Sequence, residues 1–293
     1  MSFILVGVDG SPAGDAALHW SLREAVRSGA GVTAVRAWQS AEYADGAGLS
    51  GWVLSDEGTQ EALDACVKKM RERSGADGVD VRTRVVTGPA ALVLAQEAEG
   101  ADLLVVGRRH ESALARAVLG SVSSAALHHA PCPVVVVPPG WSGDEAAGAV
   151  VVGVDESAAS VAALAWSVRR AARDHCRLVP VRVRGAFEDA VHAPDGVPDL
   201  PEHEGAELSR LERMAQQVAG GSAVDIAPQI RVGHAGRELL ARAERGDVLV
   251  VGSRRRGHLM GWLLGSTSAT VVHSAPVPVV VVREDPESIT STP

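Results

Sequence analysis

The sequence is poor in several residue types that particular functions require. Aromatic residues make up 3% of its 293 positions, so Val, Ala and Leu must build the core. Three cysteines, Cys66, Cys132 and Cys176, form neither a disulfide framework nor a zinc site and suit a reducing compartment. No stretch approaches the roughly 20 apolar residues of a membrane span. The N-terminal run in MSFILVGVDG is interrupted at Asp9 and is too short for a signal peptide. Basic excess is absent as well. A formal net charge of −8 argues against an electrostatic nucleic-acid binder and favours solubility. These absences point to a soluble cytoplasmic protein that binds neither nucleic acid nor membrane. Missing enzyme signatures narrow it further: there is no GxxxxGK[ST] P-loop, GxSxG, HExxH or CxxC.

What is present is one unit, twice. Residues 101–138 read ADLLVVGRRHESALARAVLGSVSSAALHHAPCPVVVVP, and residues 246–283 read GDVLVVGSRRRGHLMGWLLGSTSATVVHSAPVPVVVVR, aligned without a gap. In each, an apolar run ends in glycine, a basic loop follows, Gly-Ser opens a helix, and Pro-x-Pro leads into four valines. Upstream, ILVGVDGS answers VVVGVDES at an offset of 146, Asp9 against Asp155. The strands Phe3–Val8 and Leu103–Val106 are continuous apolar runs, as expected of buried parallel strands. Ser11 and Pro12 open the first helix. Expected next are a strand over 31–38, a loop over 39–58, a helix over 61–73, a strand over 79–86, a helix over 90–99, a helix from Ser121, and a strand over 134–137. In the second half the loop is expected over 186–201, a helix over 204–218 and a strand over 227–232. The domains are 1–138 and 149–285, joined by a linker over 139–148, with a tail over 286–293.

Strands alternating with helices imply βαβ units, right-handed crossovers and a doubly wound parallel sheet. Ligands bind such sheets beyond the carboxyl ends of the strands, where the strand order reverses. Asp9 and Gly107 sit at such ends, as do Asp155 and Gly252. Glycine there lets backbone approach a ligand closely. Gly120-Ser121 and Gly265-Ser266-Thr267 open helices whose unbonded N–H groups suit an anion. The adjoining Arg108, Arg109 and Arg116, and Arg254, Arg255 and Arg256, suit phosphate. Asp9 or Asp155 would hold a ribose hydroxyl or Mg2+, or alternatively buttress the helix caps Ser11 and Ser157. The same loops also read as tight βα connections with capped helices and no ligand, and the arginine run as a solvated loop. His128, His129 and His273 are expected at terminal helix carbonyls, and Trp20 and Trp166 in the core.

The pairing of GVDGS or GVDES with VVG…LLGS…AP-x-PVVVV resembles the universal stress protein family of the UspA type, in tandem, over nearly the whole chain. The resemblance implies two Rossmann-like, adenine nucleotide alpha hydrolase-like domains with five parallel strands in the order 3-2-1-4-5. It also implies domain pairing through the last strands, and leaves homodimers and a protein partner open. The family's nucleotide motif, G-x2-G-x9-G-[S/T], implies ATP, with Mg2+ as a candidate companion. By the resemblance Asp9, Val35, Gly107, Gly120 and Ser121 contact nucleotide in one half, and Asp155, Val181, Gly252, Gly265 and Ser266 in the other. Their neighbours Gly10, Ser11, Val106, Arg109, His110, Val122 and Ser123 complete the first candidate site. Glu156, Ser157, Val251, Arg254, Arg255, Thr267 and Ser268 complete the second. The motif's middle glycine falls on His110 and on Arg255, which either intrude on the phosphates or contact them. Three functions follow: an ATP-binding stress-response regulator without strong catalysis, a non-nucleotide scaffold of the same fold, or a weak ATPase.

Overall fold

The computed structural model describes residues 2–38, 56–108, 120–143, 148–185, 200–244, 247–255 and 262–284. The chain divides into two compact units, residues 1–143 and 144–293. Unit 1 contains β1 (Phe3–Gly7), α1 (Pro12–Ser28), β2 (Gly31–Trp38), α2 (Asp56–Ser74), β3 (Val81–Thr87), α3 (Ala90–Glu97), β4 (Leu103–Gly107), α4 (Ser121–His129) and β5 (Val134–Val137). Its strands are all parallel in the order β3-β2-β1-β4-β5. Val6 therefore lies between Ala34 and Val105. The central strands are buried on both faces, which is why they read as unbroken apolar runs.

Unit 2 repeats this with β6 (Val150–Gly153), α5 (Ala158–Asp174), β7 (Leu178–Arg184), α6 (Leu200–Ala219), β8 (Gln229–Val232), α7 (Ala235–Arg242), β9 (Val248–Arg255), α8 (Ser266–Ser274) and β11 (Val279–Arg283). Its parallel order is β8-β7-β6-β9-β11. Each unit thus has the 3-2-1-4-5 order expected from the resemblance. Unit 2 adds one element that the sequence pattern does not announce: β10 (Trp262–Leu263) returns antiparallel on β9, with Trp262 opposite Arg255 and Leu263 opposite Arg254.

Local chemistry sets the helix ends. Ser11 caps α1, its hydroxyl accepting from the Gly14 N–H at 3.2 Å, with Pro12 in the first turn. Gly29, at φ 71°, ends it in the left-handed region. Ser157 caps α5 in the same way, accepting from Ser160 N–H at 3.2 Å. That helix ends on His175, the one non-glycine residue with positive φ (50°) among those described. Two helices begin earlier than expected. α2 includes Gly58, because burial of Leu63, Val67 and Met70 outweighs a glycine penalty of about 1 kcal/mol. α6 takes Pro201 into its first turn, where the missing N–H costs no hydrogen bond. The expected loop residues 39–55 and 186–199 and the tail from 285 lie outside the described residues. Trp20 is buried as expected. Trp166 is only half-buried, and the Arg170 guanidinium stands over its ring at 5.7 Å from the centroid.

Candidate functional site

In unit 1, β1 is flanked by β2 on one side and β4 on the other, so the connections leaving β1 and β4 diverge and open a crevice at their carboxyl ends. Asp9, Ser11, Val35, Val106, Gly107, Gly120, Ser121, Val122 and Ser123 line it, in a cavity of about 120 Å3. In unit 2 the crevice is about 640 Å3 and is lined by Asp155, Ser157, Val181, Val251, Gly252, Gly265, Ser266, Thr267 and Ser268.

The two aspartates serve the backbone first. Asp9 Oδ1 accepts from the Ser11 N–H at 2.9 Å and from the Ser11 hydroxyl, and Ser11 in turn caps α1. Asp155 does the same for Ser157, at 2.8 Å from its N–H. These carboxylates face the crevice while holding the cap of the neighbouring helix in place.

The glycines divide into two kinds. A Cβ on Gly107 would stand 2.2 Å from the Ala13 carbonyl oxygen of α1, and one on Gly252 would stand 2.6 Å from the Ala159 carbonyl. Both glycines therefore serve helix–strand packing, and both also line the crevices. Gly120 and Gly265 are different. Their φ values of −55° and −62° suit any residue, and a Cβ there would meet nothing described within 4 Å. Neither gives its helix a side-chain cap, unlike Ser11 and Ser157. The first N–H groups of α4 and α8 thus have no side-chain acceptor at the cap position, beside open space in the crevice.

Ser123 and Ser268, buried in the first turns of α4 and α8, donate their hydroxyls to the carbonyls of Gly107 (3.0 Å) and Gly252 (2.9 Å). Each is a strut that ties the helix start to the strand end. Ser121 and Ser266 occupy the first helical positions on the crevice wall. Burial lowers the pKa of Arg108, next to Gly107, and guanidinium remains charged regardless.

The model of the universal stress protein family matches residues 2–138 and again 148–283. The chain belongs to the universal stress protein family. As a tandem universal stress protein it is 33% identical over 295 residues to universal stress protein Rv2005c of Mycobacterium tuberculosis, covering 96% of this chain and 97% of that protein. Universal stress protein Rv2623 of the same organism is likewise 33% identical, over 305 residues and 96% of each chain. A crystal structure of a universal stress protein from Archaeoglobus fulgidus superposes with a TM-score of 0.67 at 21% identity, over 97% of this chain and 98% of that one, a likeness of fold. No described helix is long and apolar enough to cross a membrane.

Of the expected site residues of this universal stress protein, the structure brings together those at the strand ends and helix starts and leaves others aside. Gly10 and Glu156 do not line the crevices. Glu156 faces Arg210 at 3.5 Å and Arg182 at 4.0 Å. Arg109, His110, Arg116 and Arg256 lie outside the described residues. Arg254 and Arg255 extend β9, and only their backbone is described. The sequence reading missed the apolar wall: Ala37, Ala90 and Leu94 in unit 1, and Val183, Ala235 and Leu239 in unit 2. A signal existed, since GPAALVL and GHAGREL recur at one offset with Ala and Leu in register, but only the strand order shows that this helix backs the crevice.

Proposed function

We propose that this tandem universal stress protein binds an adenine nucleotide, ATP with Mg2+ as its counter-ion, at the crevices, and acts as a nucleotide-dependent regulator rather than an enzyme. One observation carries the reading. In both units the helix behind the crevice starts on a glycine that the protein's own packing does not require, with no side-chain cap and with open space where a Cβ would stand. A helix start of this kind favours negative charge and hydrogen-bonds phosphate oxygens. Val35, Ala37 and Leu94, or their counterparts Val181, Val183 and Leu239, line the same crevices and offer apolar surface for a base. Asp9 and Asp155 line the same crevices, and a carboxylate there suits a ribose hydroxyl. The combination of an apolar wall with a few convergent polar groups is what small-ligand sites use.

The scaffold reading has one specific support, His110 and Arg255 at the middle position of the motif. Native mass spectrometry of the purified chain with ATP and Mg2+ separates the two. Bound nucleotide is expected, and Gly120→Glu with Gly265→Glu, which place a carboxylate against the phosphates, should weaken it by about tenfold or more, or at least 1.4 kcal/mol. A chain that stays bare at millimolar ATP is a scaffold. The regulatory part has its own test, because occupancy shifts a conformational equilibrium only through differential affinity. Proteolysis near Arg109 or Arg255 should change on saturation with ATP, and an unchanged pattern removes the switch.

A further inference from the structure

The two crevices correspond position for position, yet differ about fivefold in volume: about 120 Å3 in unit 1 against about 640 Å3 in unit 2. Among the described lining residues, side-chain size does not account for this. Where the lining differs, unit 2 carries the bulkier residue, with Ser160 in place of Gly14 and Val183 in place of Ala37, while Thr267 matches Val122 in shape. The described backbone differs at two places. β4 ends at Gly107, whereas β9 runs on past Gly252 to Arg255 and pairs with β10, whose return brings Leu264 into the cavity wall. On the opposite lip Gly10 takes a left-handed φ of 77°, while Glu156, outside that region, is drawn toward Arg182 and Arg210.

We propose that the two sites are unequal and that unit 2 is the one that receives a whole nucleotide. This rests on the nucleotide reading above and adds which site is occupied. Pockets that enclose small organic ligands run to about 300–1,000 Å3. The unit 2 cavity lies inside that range, and the unit 1 cavity lies below it, with room for a few waters or an inorganic phosphate. The polar end agrees with the volume. Thr267 adds a hydroxyl at the second position of α8, where unit 1 has the methyl of Val122, so the phosphate end of unit 2 offers one more hydrogen-bonding group. The Glu156 carboxylate at the unit 2 lip is countered by two arginines and does not repel an anionic ligand outright.

The wild-type chain supplies the test. Native mass spectrometry across a range of ATP-Mg concentrations is expected to show one nucleotide per chain at first saturation, with a second only at much higher concentration. A photoreactive ATP analogue with its azide on the base should label peptides from residues 229–274 and spare those from 81–129. Thr267→Val should weaken the first binding event severalfold, and Gly265→Glu should remove both the first event and the label. Two nucleotides of equal affinity, or label confined to residues 81–129, overturn the inequality while leaving the nucleotide reading standing. No nucleotide bound at any concentration overturns the nucleotide reading and this inference with it. Labelling needs no variant, so a misfolded Gly265→Glu protein leaves the decision intact.

Discussion

Units 1 and 2 build the same strand order and place equivalent residues around the crevice, yet the buried chemistry of their helices differs. Position 24 of α1 is a buried Glu, and the equivalent position of α5 is the buried Arg170. Ser28 of α1 gives its hydroxyl to the Glu24 carbonyl at 2.8 Å. Its counterpart Asp174 forms an ion pair with Arg170 at 3.4 Å, both side chains 5% exposed. Helix α1 ends on Gly29 and α5 on His175. Around the crevice the pattern is the reverse: Asp-x-Ser, the packing glycine, Gly-Ser at the helix start and the serine strut recur without change. A helix face can satisfy its burial in several ways. The crevice needs a particular set of groups at a particular spacing, and both units supply it.

The largest effect that would sharpen this comparison concerns the two kinds of glycine. Gly107→Val and Gly252→Val push a side chain into the backbone of α1 or α5, which cannot rotate away. Each is expected to destabilise its unit by about 3 kcal/mol or more, and unit 1 the more, given the closer approach there (2.2 Å against 2.6 Å). Gly120→Ala and Gly265→Ala should cost no more than about 1 kcal/mol, since alanine is the poorer cap residue. Chemical denaturation of the four variants measures this. Equal losses at Gly107 and Gly120 would dissolve the division between glycines that packing requires and glycines that it does not.

That division also marks where the sequence was legible and where it was not. Strand ends, helix caps and the repeat itself are local: an apolar run ending in glycine, or Ser-Pro before a helical period, can be read without knowing the neighbours. The reason for Gly107 cannot, because the group it avoids is the Ala13 carbonyl on another helix. The same holds for Ser123 and Ser268. As hydroxyls at a helix start they read as ligand contacts, and the fold adds a bond the sequence does not show, to carbonyls of a strand brought close only by the sheet. The apolar wall of the crevice escaped notice because Ala90 and Leu94 look like any helix core until β1 and β4 are known to be neighbours. β10, two residues long, has too little pattern to be seen at all.

Next in size is the buried pair peculiar to unit 2. Asp174→Asn keeps the shape but withdraws the charge that faces Arg170 and also accepts from Arg173 Nε at 2.7 Å. A loss of about 2 kcal/mol is expected, below the usual cost of breaking a buried pair, since the amide oxygen still accepts. Ser28→Ala in unit 1 should change stability by no more than about 0.5 kcal/mol. If Asp174→Asn proved as harmless as Ser28→Ala, the pair would be ornamental and the units energetically alike at this helix end. Smaller still is His175→Gly. Relief of a positive φ on a side-chain-bearing residue, set against the added freedom of glycine in the unfolded chain, leaves a gain of up to about 1 kcal/mol. Gly29→His should cost a similar amount. A loss from both exchanges would mean that the His175 ring makes contacts worth more than its backbone strain.

The subtlest difference is a thiol found only in unit 1. Cys66 on α2 donates to Asp15 Oδ1 on α1 at 3.3 Å, where unit 2 has Leu211 and Val161 at the equivalent positions. Burial first, then the hydrogen bond and charge of Asp15, push the thiol up from 9.0 to about 11. The folded state therefore prefers the neutral thiol. Its contribution to stability is complete below pH 9, where the unfolded thiol is also neutral, and is lost as pH rises from 9 toward 11. Because the group is half-exposed the energetic effect is small, so reactivity is the better probe. Thiolate is the nucleophile, and alkylation of Cys66 by iodoacetamide, followed by peptide mass spectrometry, should rise with a midpoint near pH 11 in the folded chain. Asp15→Asn should move that midpoint down while leaving the profile of Cys176 in place. A folded-state midpoint at the ordinary value of 9.0 would mean that α1 and α2 do not hold Asp15 against the thiol, and that this seam of unit 1 is as loosely tied as its counterpart.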